Sequence, residues 1–232
     1  FEHKMSDNNL LFSDIPVTDN RTDILQFSGL YTAGLADPWG STEVRLRLTG
    51  SPGGLTDHNG TRAFEISRTF AEADYFYGVL DLSRLQRLPL GFALAVSGHL
   101  QLADGNLLGS EQLGLGGISS VRGFNEGIVY GDWGYLLRAE LHAPLLPLER
   151  WLPFPAPPMP LQLLGFYDHG VTGSIHRLPA EPEEHRLKSA GVGVRLSIAR
   201  NVSASFDYGW RLVQFPGVTY SGRGHFSVTV SY

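Results

Sequence analysis

Apolar and polar residues alternate along most of the chain, so that every second side chain within a segment is apolar. A period of two places the apolar side chains on one face of a β-strand and the polar side chains on the other. The segments that show it are residues 25–35, 43–49, 75–88, 92–102, 135–142, 161–170, 189–198, 204–212 and 225–232. Residues 1–20 hold one apolar cluster, at positions 10–15, and allow a further short or partial strand.

Three parts of the chain depart from this alternation. The parity of the apolar positions changes near Gly78, which predicts a β-bulge there. Residues 61–73 fit either a short helix or a strand. Residues 144–160 contain about half of the chain's 14 prolines. Because proline neither continues a helix nor donates to a β-ladder, this segment is predicted to be an extended connector.

The face opposite the apolar rows decides between two kinds of β fold. In a soluble sandwich that face meets water and usually carries long Lys and Glu side chains. Here it carries mainly Gly, Ser, Ala and Thr with an occasional charge, and Tyr208 and Trp210 lie near the end of an apolar row. The pattern favours an antiparallel transmembrane β-barrel, apolar towards lipid and polar towards a wet lumen, over a sandwich.

Composition narrows the function classes further. The formal net charge is −5, and no cluster of basic residues offsets it, which argues against a nucleic-acid partner. The chain has no cysteine, so disulfides and thiolate metal sites are excluded. His176 and His185 flank an acidic loop, but loop histidines are more often solvated than metal-bound, so we expect no metal and no cofactor.

Residues 113–134 form the most unusual stretch, with seven glycines among 22 positions. Glycine at that density does not support a helix or strand interior, so the stretch is a loop. Its apolar residues, which include Val121 and Phe124, need a surface to pack on. We therefore expect a long loop that folds back into the molecule and presents one charge, Arg122.

Two separated motifs resemble those of a known family. Residues 115–124, followed by residues 131–135 and a strand ending in Glu140 and Leu141, look like the conserved loop and following strand of the Omp85 superfamily of outer-membrane proteins. More narrowly they are similar to the two-partner secretion transporters of the haemolysin-activator type. Gln101 and residues 111–113 match the segment before the loop, with leucine in place of the usual aromatic residue. The second motif is residues 166–170, with the pattern Phe-x-Asp-x-Gly.

The resemblance implies a sixteen-strand barrel preceded by periplasmic POTRA domains. This chain has too few strands and no POTRA-like segment, so residues 1–232 are expected to be the C-terminal part of such a barrel, retaining about ten strands, with the loop inserted into the lumen. The terminal strand resembles the signal read by the barrel-assembly machinery, and the residues that carry this resemblance are Phe226, Val228, Val230 and Tyr232.

The resemblance also assigns the candidate site. Its loop motif comprises Gly116, Gly117, Val121, Arg122, Gly123 and Phe124, and the partner motif on the barrel wall comprises Phe166, Asp168 and Gly170. Because Phe166 and Asp168 share one face of their strand, an inserted loop can set Arg122 against Asp168, with Phe124 against the wall beside Phe166. Arg138 and Glu140 lie on the inward parity and are expected either to extend the network around Arg122 or to form an ordinary lumenal charge pair. The alternative is that Arg122 is a solvated loop residue and Asp168 a turn former.

Three functions follow in order of preference. The first is export of an unfolded, secreted partner protein through the barrel, across the bacterial outer membrane, without enzymatic chemistry. The second is a role as an assembly factor that inserts other barrels. The third is an outer-membrane hydrolase, which the scattered histidines and the absence of a Gly-x-Ser-x-Gly sequence disfavour. The expected partners are the secreted cargo, the lipid bilayer and, during biogenesis, the barrel-assembly machinery.

Overall fold

The chain forms one long antiparallel meander. The computed structural model describes residues 1–12, 15–199 and 201–231, with only the backbone described for residues 6–12 and 15–20. Its long strands are β1 (Glu2–Phe12), β2 (Ile15–Asp37), β3 (Gly40–Pro52), β4 (Asp74–Arg87), β5 (Ala93–Ala103), β8 (Trp133–His142), β10 (Pro160–Gly173), β11 (His185–Ile198), β12 (Val202–Arg211) and β13 (Gly222–Val230). They pair in this order in a single sheet.

The remaining elements are short. They are helix α1 (Thr61–Ser67), strands β6 (Leu113–Leu115), β7 (Val129–Gly131) and β9 (Leu146–Pro147), and 3-10 turns at Pro89–Gly91 and Leu148–Trp151. β6 and β7 pair with each other as a separate small ribbon, and β9 pairs with the start of β10. In the part of the chain that the structure describes, no helix is long and apolar enough to cross a membrane.

The sheet has one apolar face and one polar face, as the alternation predicts. On the outward face the apolar side chains are largely exposed, for example Leu137 at 48% and Val192 at 53%. The opposite face is the one on which the 113–134 loop packs, and we call it the inward face. There Asp168 and Ser189 are completely buried. The prediction of an all-β antiparallel fold is confirmed, because the period-two segments became neighbouring strands of one sheet.

The change of parity at Gly78 is not a bulge, and that prediction is wrong. The register of β4 runs without a shift against both β3 and β5. Tyr75 and Tyr77 are buried on the inward face, whereas Leu80 and Leu82 are exposed on the outward face. The apolar side chains of β4 therefore lie on the inward face before Gly78 and on the outward face after it. The first residues of β4 pack beneath α1 and its neighbouring loop, so their inward side chains do not face an open lumen.

Two other ambiguous segments are now defined. Thr61–Ser67 is a helix, held by the burial of Phe64 among the apolar residues at the inward end of β4. The proline-rich segment is predicted to be an extended connector without ladder pairing. This prediction is wrong for Leu146 and Pro147, which form a two-residue ladder with the start of β10. β1 pairs only with the first half of β2, while the second half of β2 pairs with β3.

Candidate functional site: a buried arginine between loop and sheet

Arg122 is a buried charge at the tip of the loop. Its side chain is completely buried. The Nε and Nη2 groups of Arg122 donate to the two carboxylate oxygens of Asp168, each at 2.8 Å, and the Arg122 backbone N–H donates to Asp168 Oδ2 at 3.1 Å. Such a bidentate, charge-assisted pair fixes the orientation of the guanidinium as well as its position.

Phe166 completes the seat of the guanidinium. It lies two residues before Asp168 on the same face of β10, and its ring centroid is 3.5 Å from Arg122 Cζ. The planar cation therefore stacks on the aromatic face while its edge binds the carboxylate. Asp168 and Phe166 act together because period two turns both side chains inward from one strand.

Two further carboxylates surround the same arginine. Arg122 Nη1 donates to Glu140 Oε1 of β8 at 2.6 Å and lies 3.7 Å from Asp207 Oδ2 of β12. Arg138 contacts the Asp168 carboxylate at 3.5 Å and donates to the carbonyl of Ile118 at 3.3 Å. Arg138 and Glu140, which are the predicted extension of the network, thus lie in it, and Asp207 joins them.

The electrostatics of the cluster keep Arg122 ionised. Burial disfavours the charged guanidinium, but hydrogen bonds and charge from Asp168 outweigh it, so the pKa of Arg122 is raised above its ordinary value. A permanent cation enclosed by three carboxylates is stable only while the loop stays in place, because moving the loop exposes uncompensated charge on both sides.

The backbone of the loop is shaped for close approach. Gly116 and Gly117 have φ near +104° and +101° in a tight turn closed by the Gly117 N–H to Val121 carbonyl hydrogen bond of 3.2 Å. Gly123 has φ of +89°, and a Cβ there would lie 2.7 Å from the carbonyl oxygen of Gly209 on β12. Any side chain at position 123 would therefore lift the loop tip from the sheet.

Apolar packing anchors the rest of the loop tip. Val121 and Phe124 are completely buried in a cluster that also includes Leu115 and Leu187. Phe124 faces Arg211, whose Cζ lies 5.7 Å from its ring centroid, while Phe166 lies under Arg122. Phe124 thus contacts Arg211 of β12, and its placement beside Phe166 stays a prediction.

Gly170 makes room for this packing. A Cβ at Gly170 would lie 2.9 Å from a methyl of Leu115 and 3.1 Å from a methyl of Val121. The Phe-x-Asp-x-Gly motif thus supplies a stacking surface, a carboxylate and a gap at successive inward positions of β10.

The structure also brings to the loop residues that the sequence did not single out. Asp207 and His225 lie directly opposite each other on β12 and β13, and His225 Nε2 accepts a hydrogen bond of 3.1 Å from the Gly123 N–H. The inward parity of both positions was visible in the alternation. Their meeting with the loop depends on how the β12–β13 pair is placed relative to the β8–β10 pair in the sheet, which neither periodicity nor spacing indicates.

A second buried carboxylate, that of Asp132, binds residues from other connections between strands. Asp132 is completely buried and pairs with Arg68, with an Nη2 to Oδ2 distance of 3.0 Å. It also accepts from the backbone N–H groups of Leu107 at 2.9 Å and Ile175 at 3.1 Å. The last residues of the glycine-rich loop therefore tie together three further connections between strands.

A third polar cluster is centred on Glu111, which precedes the loop. Its carboxylate accepts from Lys4 Nζ at 2.8 Å and from the hydroxyl of Tyr77 at 2.7 Å, and Gln101 Nε2 donates to its backbone carbonyl at 3.0 Å. Burial opposes the charge of Glu111, but the hydrogen bonds from Lys4 and Tyr77 outweigh it and lower the pKa of Glu111. The cluster fixes the entry of the chain into the loop.

The candidate assembly residues lie on the other side of the sheet. Phe226, Val228 and Val230 project outward from β13 with exposures of 70%, 50% and 65%, and Tyr232 lies outside the described residues. Within the described ranges, no group of three or more His, Asp or Glu side chains is placed to hold a metal ion.

Comparisons with known proteins agree on one family. The sequence model described as haemolysin secretion/activation protein ShlB/FhaC/HecB matches residues 49–196. The heme/hemopexin transporter protein HuxB of Haemophilus influenzae is 30% identical over 182 residues, which is 72% of this chain and 30% of that protein. HuxB of strain 86-028NP is 30% identical over 145 residues, which is 61% of this chain and 23% of that protein.

A solved structure shares the fold. CdiB from Escherichia coli superposes with a TM-score of 0.74 at 22% sequence identity, and the match covers 98% of this chain and 40% of CdiB. The chain therefore spans 40% of that structure and 30% of the HuxB sequence that it matches over the longest stretch.

Proposed function

The chain belongs to the haemolysin secretion/activation family of two-partner secretion transporters, and on that premise we propose that it exports a secreted partner protein across the bacterial outer membrane. Transporters of this family are outer-membrane β-barrel proteins of the Omp85 superfamily. We further propose that residues 1–232 form the C-terminal part of the barrel domain and that the chain acts without catalysing a reaction.

The observation that carries the proposal is the seating of Arg122. A loop that only connected two strands would have no need of a fully buried cation held by Asp168 and Glu140. Here the charged network holds the loop against the inward face, where it covers part of the wall. Because the ion pair has a defined geometry, it holds the loop in one position against the sheet. If the loop is displaced into a water-filled lumen, the two charged groups can pair again when it returns.

The inward face beside the loop suits an extended polypeptide. A cavity of about 650 Å³ lies on this face next to Arg138 and Glu140, with Ser83 and Ser97 also in its lining. Small hydroxyl side chains and a few charges, beside Leu35, Leu85 and Val96 in the same lining, offer hydrogen bonds to the backbone of an unfolded chain that passes this face. The partners we propose are this cargo, the lipid bilayer against the outward face, and the barrel-assembly machinery during biogenesis.

The experiment that tests the proposal is a secretion assay in the bacterium with candidate cargo from the neighbouring genes. The complete gene product is compared with its Arg122→Ala and Asp168→Ala variants, and barrel assembly is checked by heat-modifiable gel mobility. We expect the cargo in the medium to fall at least about tenfold in both variants while assembly is retained. A loss of other outer-membrane barrels with cargo export intact would instead identify an assembly factor.

A further inference from the structure

The loop tip has a second anchor, on the hairpin formed by β12 and β13. Its first anchor is the carboxylate cluster around Arg122, and its second is built from residues immediately after that arginine. The Gly123 N–H donates to His225 Nε2 at 3.1 Å, and the side-chain oxygen of Asn125 accepts from Tyr220 Oη at 3.0 Å and from Arg223. The loop therefore binds the last strand directly.

The hydrogen bond fixes the protonation state of His225. A ring nitrogen that accepts from a backbone N–H carries no proton, so the proton of the neutral ring lies on Nδ1. That atom faces Glu126 of the loop, with Nδ1 at 3.9 Å from Glu126 Oε1. The side chain of His225 is only 7% exposed, so no bulk water replaces Gly123 as a partner while the loop is seated.

We propose that His225 couples the seating of the loop to the last strand, and that protonation of His225 releases Gly123 from β13. A protonated ring has a donor on both nitrogens, so Nε2–H would face the Gly123 N–H and the hydrogen bond would be replaced by repulsion. Histidine is the side chain whose ordinary pKa lies closest to physiological pH, so this contact between the loop backbone and β13 is titratable.

The charged groups around His225 act in both directions. Glu126 on the loop and Asp207 on β12 favour the protonated ring, whereas Arg122 on the loop and Arg223 on β13 oppose it. Because Glu126 moves with the loop, its attraction does not restore the lost contact between Gly123 and the ring. This proposal concerns loop seating alone and does not depend on the export function.

The test measures exposure of the loop tip in the complete protein in outer-membrane vesicles. A single cysteine replaces the buried Val121, and its rate of labelling by a hydrophilic maleimide is divided by the rate at an exposed control cysteine in place of Leu55. The ratio removes the pH dependence of the thiol itself. We expect this ratio to rise about tenfold between about pH 7.5 and about pH 5.5, the effect of losing one buried hydrogen bond.

Two variants of His225 make the proposal falsifiable. His225→Gln keeps an acceptor near the Nε2 position but does not titrate, so its labelling ratio should stay low at both pH values. His225→Phe keeps a ring without an acceptor, so its ratio should be high at both. His99→Gln removes an inward histidine paired with Asp81 and should respond to pH as the wild type does. A pH response that survives in His225→Gln, or a protected thiol in His225→Phe, would overturn the proposal.

Discussion

Replacing Asp168 by asparagine removes one charge from the loop seat with almost no change of shape. The carboxylate accepts three hydrogen bonds from Arg122, through its backbone N–H, Nε and Nη2. An asparagine keeps one acceptor oxygen, but its amide N–H₂ turns a donor towards the donors of the guanidinium. Arg122 stays buried and loses the partner that holds its orientation.

The magnitude follows from the remaining partners. Removing one member of a buried ion pair typically costs about 3–5 kcal/mol. Glu140 Oε1 still lies 2.6 Å from Arg122 Nη1. The positive charge of Arg122 therefore keeps one carboxylate partner, and the lower end of that range applies. A loss of about 3 kcal/mol raises the population of unseated loop about 150-fold.

The assay is maleimide labelling of a single cysteine at position 121, which is completely buried in the seated loop. Asp168→Asn should raise the labelling rate about 150-fold. Glu140→Gln should raise it only about tenfold, because Glu140 is part-exposed and contributes a single contact. Asp81→Asn, an inward carboxylate paired with His99, is the matched control. A rate in Asp168→Asn equal to that of the control, or below that of Glu140→Gln, would show that Asp168 is not the main partner of Arg122.

Three other changes test separate parts of the loop. Gly209→Ala adds a Cβ only 2.8 Å from the Gly123 nitrogen, so the same labelling should become at least about tenfold faster; unchanged labelling would show that the tip does not rest on β12. Asp132→Asn breaks the pair with Arg68 and should speed amide hydrogen exchange in residues 104–112 about tenfold or more, whereas an unchanged rate would deny Asp132 its anchoring role. The lowered pKa of Glu111 means that its stabilisation is complete above the ordinary glutamate pKa of about 4.3 and is lost as the pH falls through the lower folded-state value. Exchange in residues 104–112, measured against pH, should show this loss in wild type and lack it in Glu111→Gln.

The strands could be predicted because the two faces of this sheet meet different surroundings. In β8 the alternation puts Leu137 and Leu141 on one face of the strand and Arg138 and Glu140 on the other. The orientation of β8 in the sheet therefore follows from the sequence. The same alternation, together with the resemblance of the two motifs, predicts that Arg122 lies against Asp168. The exchange of faces at Gly78 misled because a packed helix, and not a bulge, lies over that end of the sheet.

The rest of the loop seat depends on contacts between residues far apart in the chain. His225 follows Gly123 by 102 positions, and Arg68 precedes Asp132 by 64. Each is one of several polar residues in its segment, so neither periodicity nor spacing distinguishes it. Only the order and register of the strands bring these side chains to the loop, and the energies that set that register are distributed over the whole sheet.

We propose that the pairing of Arg122 with Asp168 serves export, and exchanging the two charges is the most direct test. Cargo secretion is measured for Arg122→Asp, for Asp168→Arg and for the double variant, each with its barrel shown to assemble by heat-modifiable mobility. We expect each single variant to secrete less than about a tenth of the wild-type amount and the double variant to recover at least about threefold over either, because the two sites are coupled. Single variants that secrete normally, or a double variant no better than the singles, would contradict the claim.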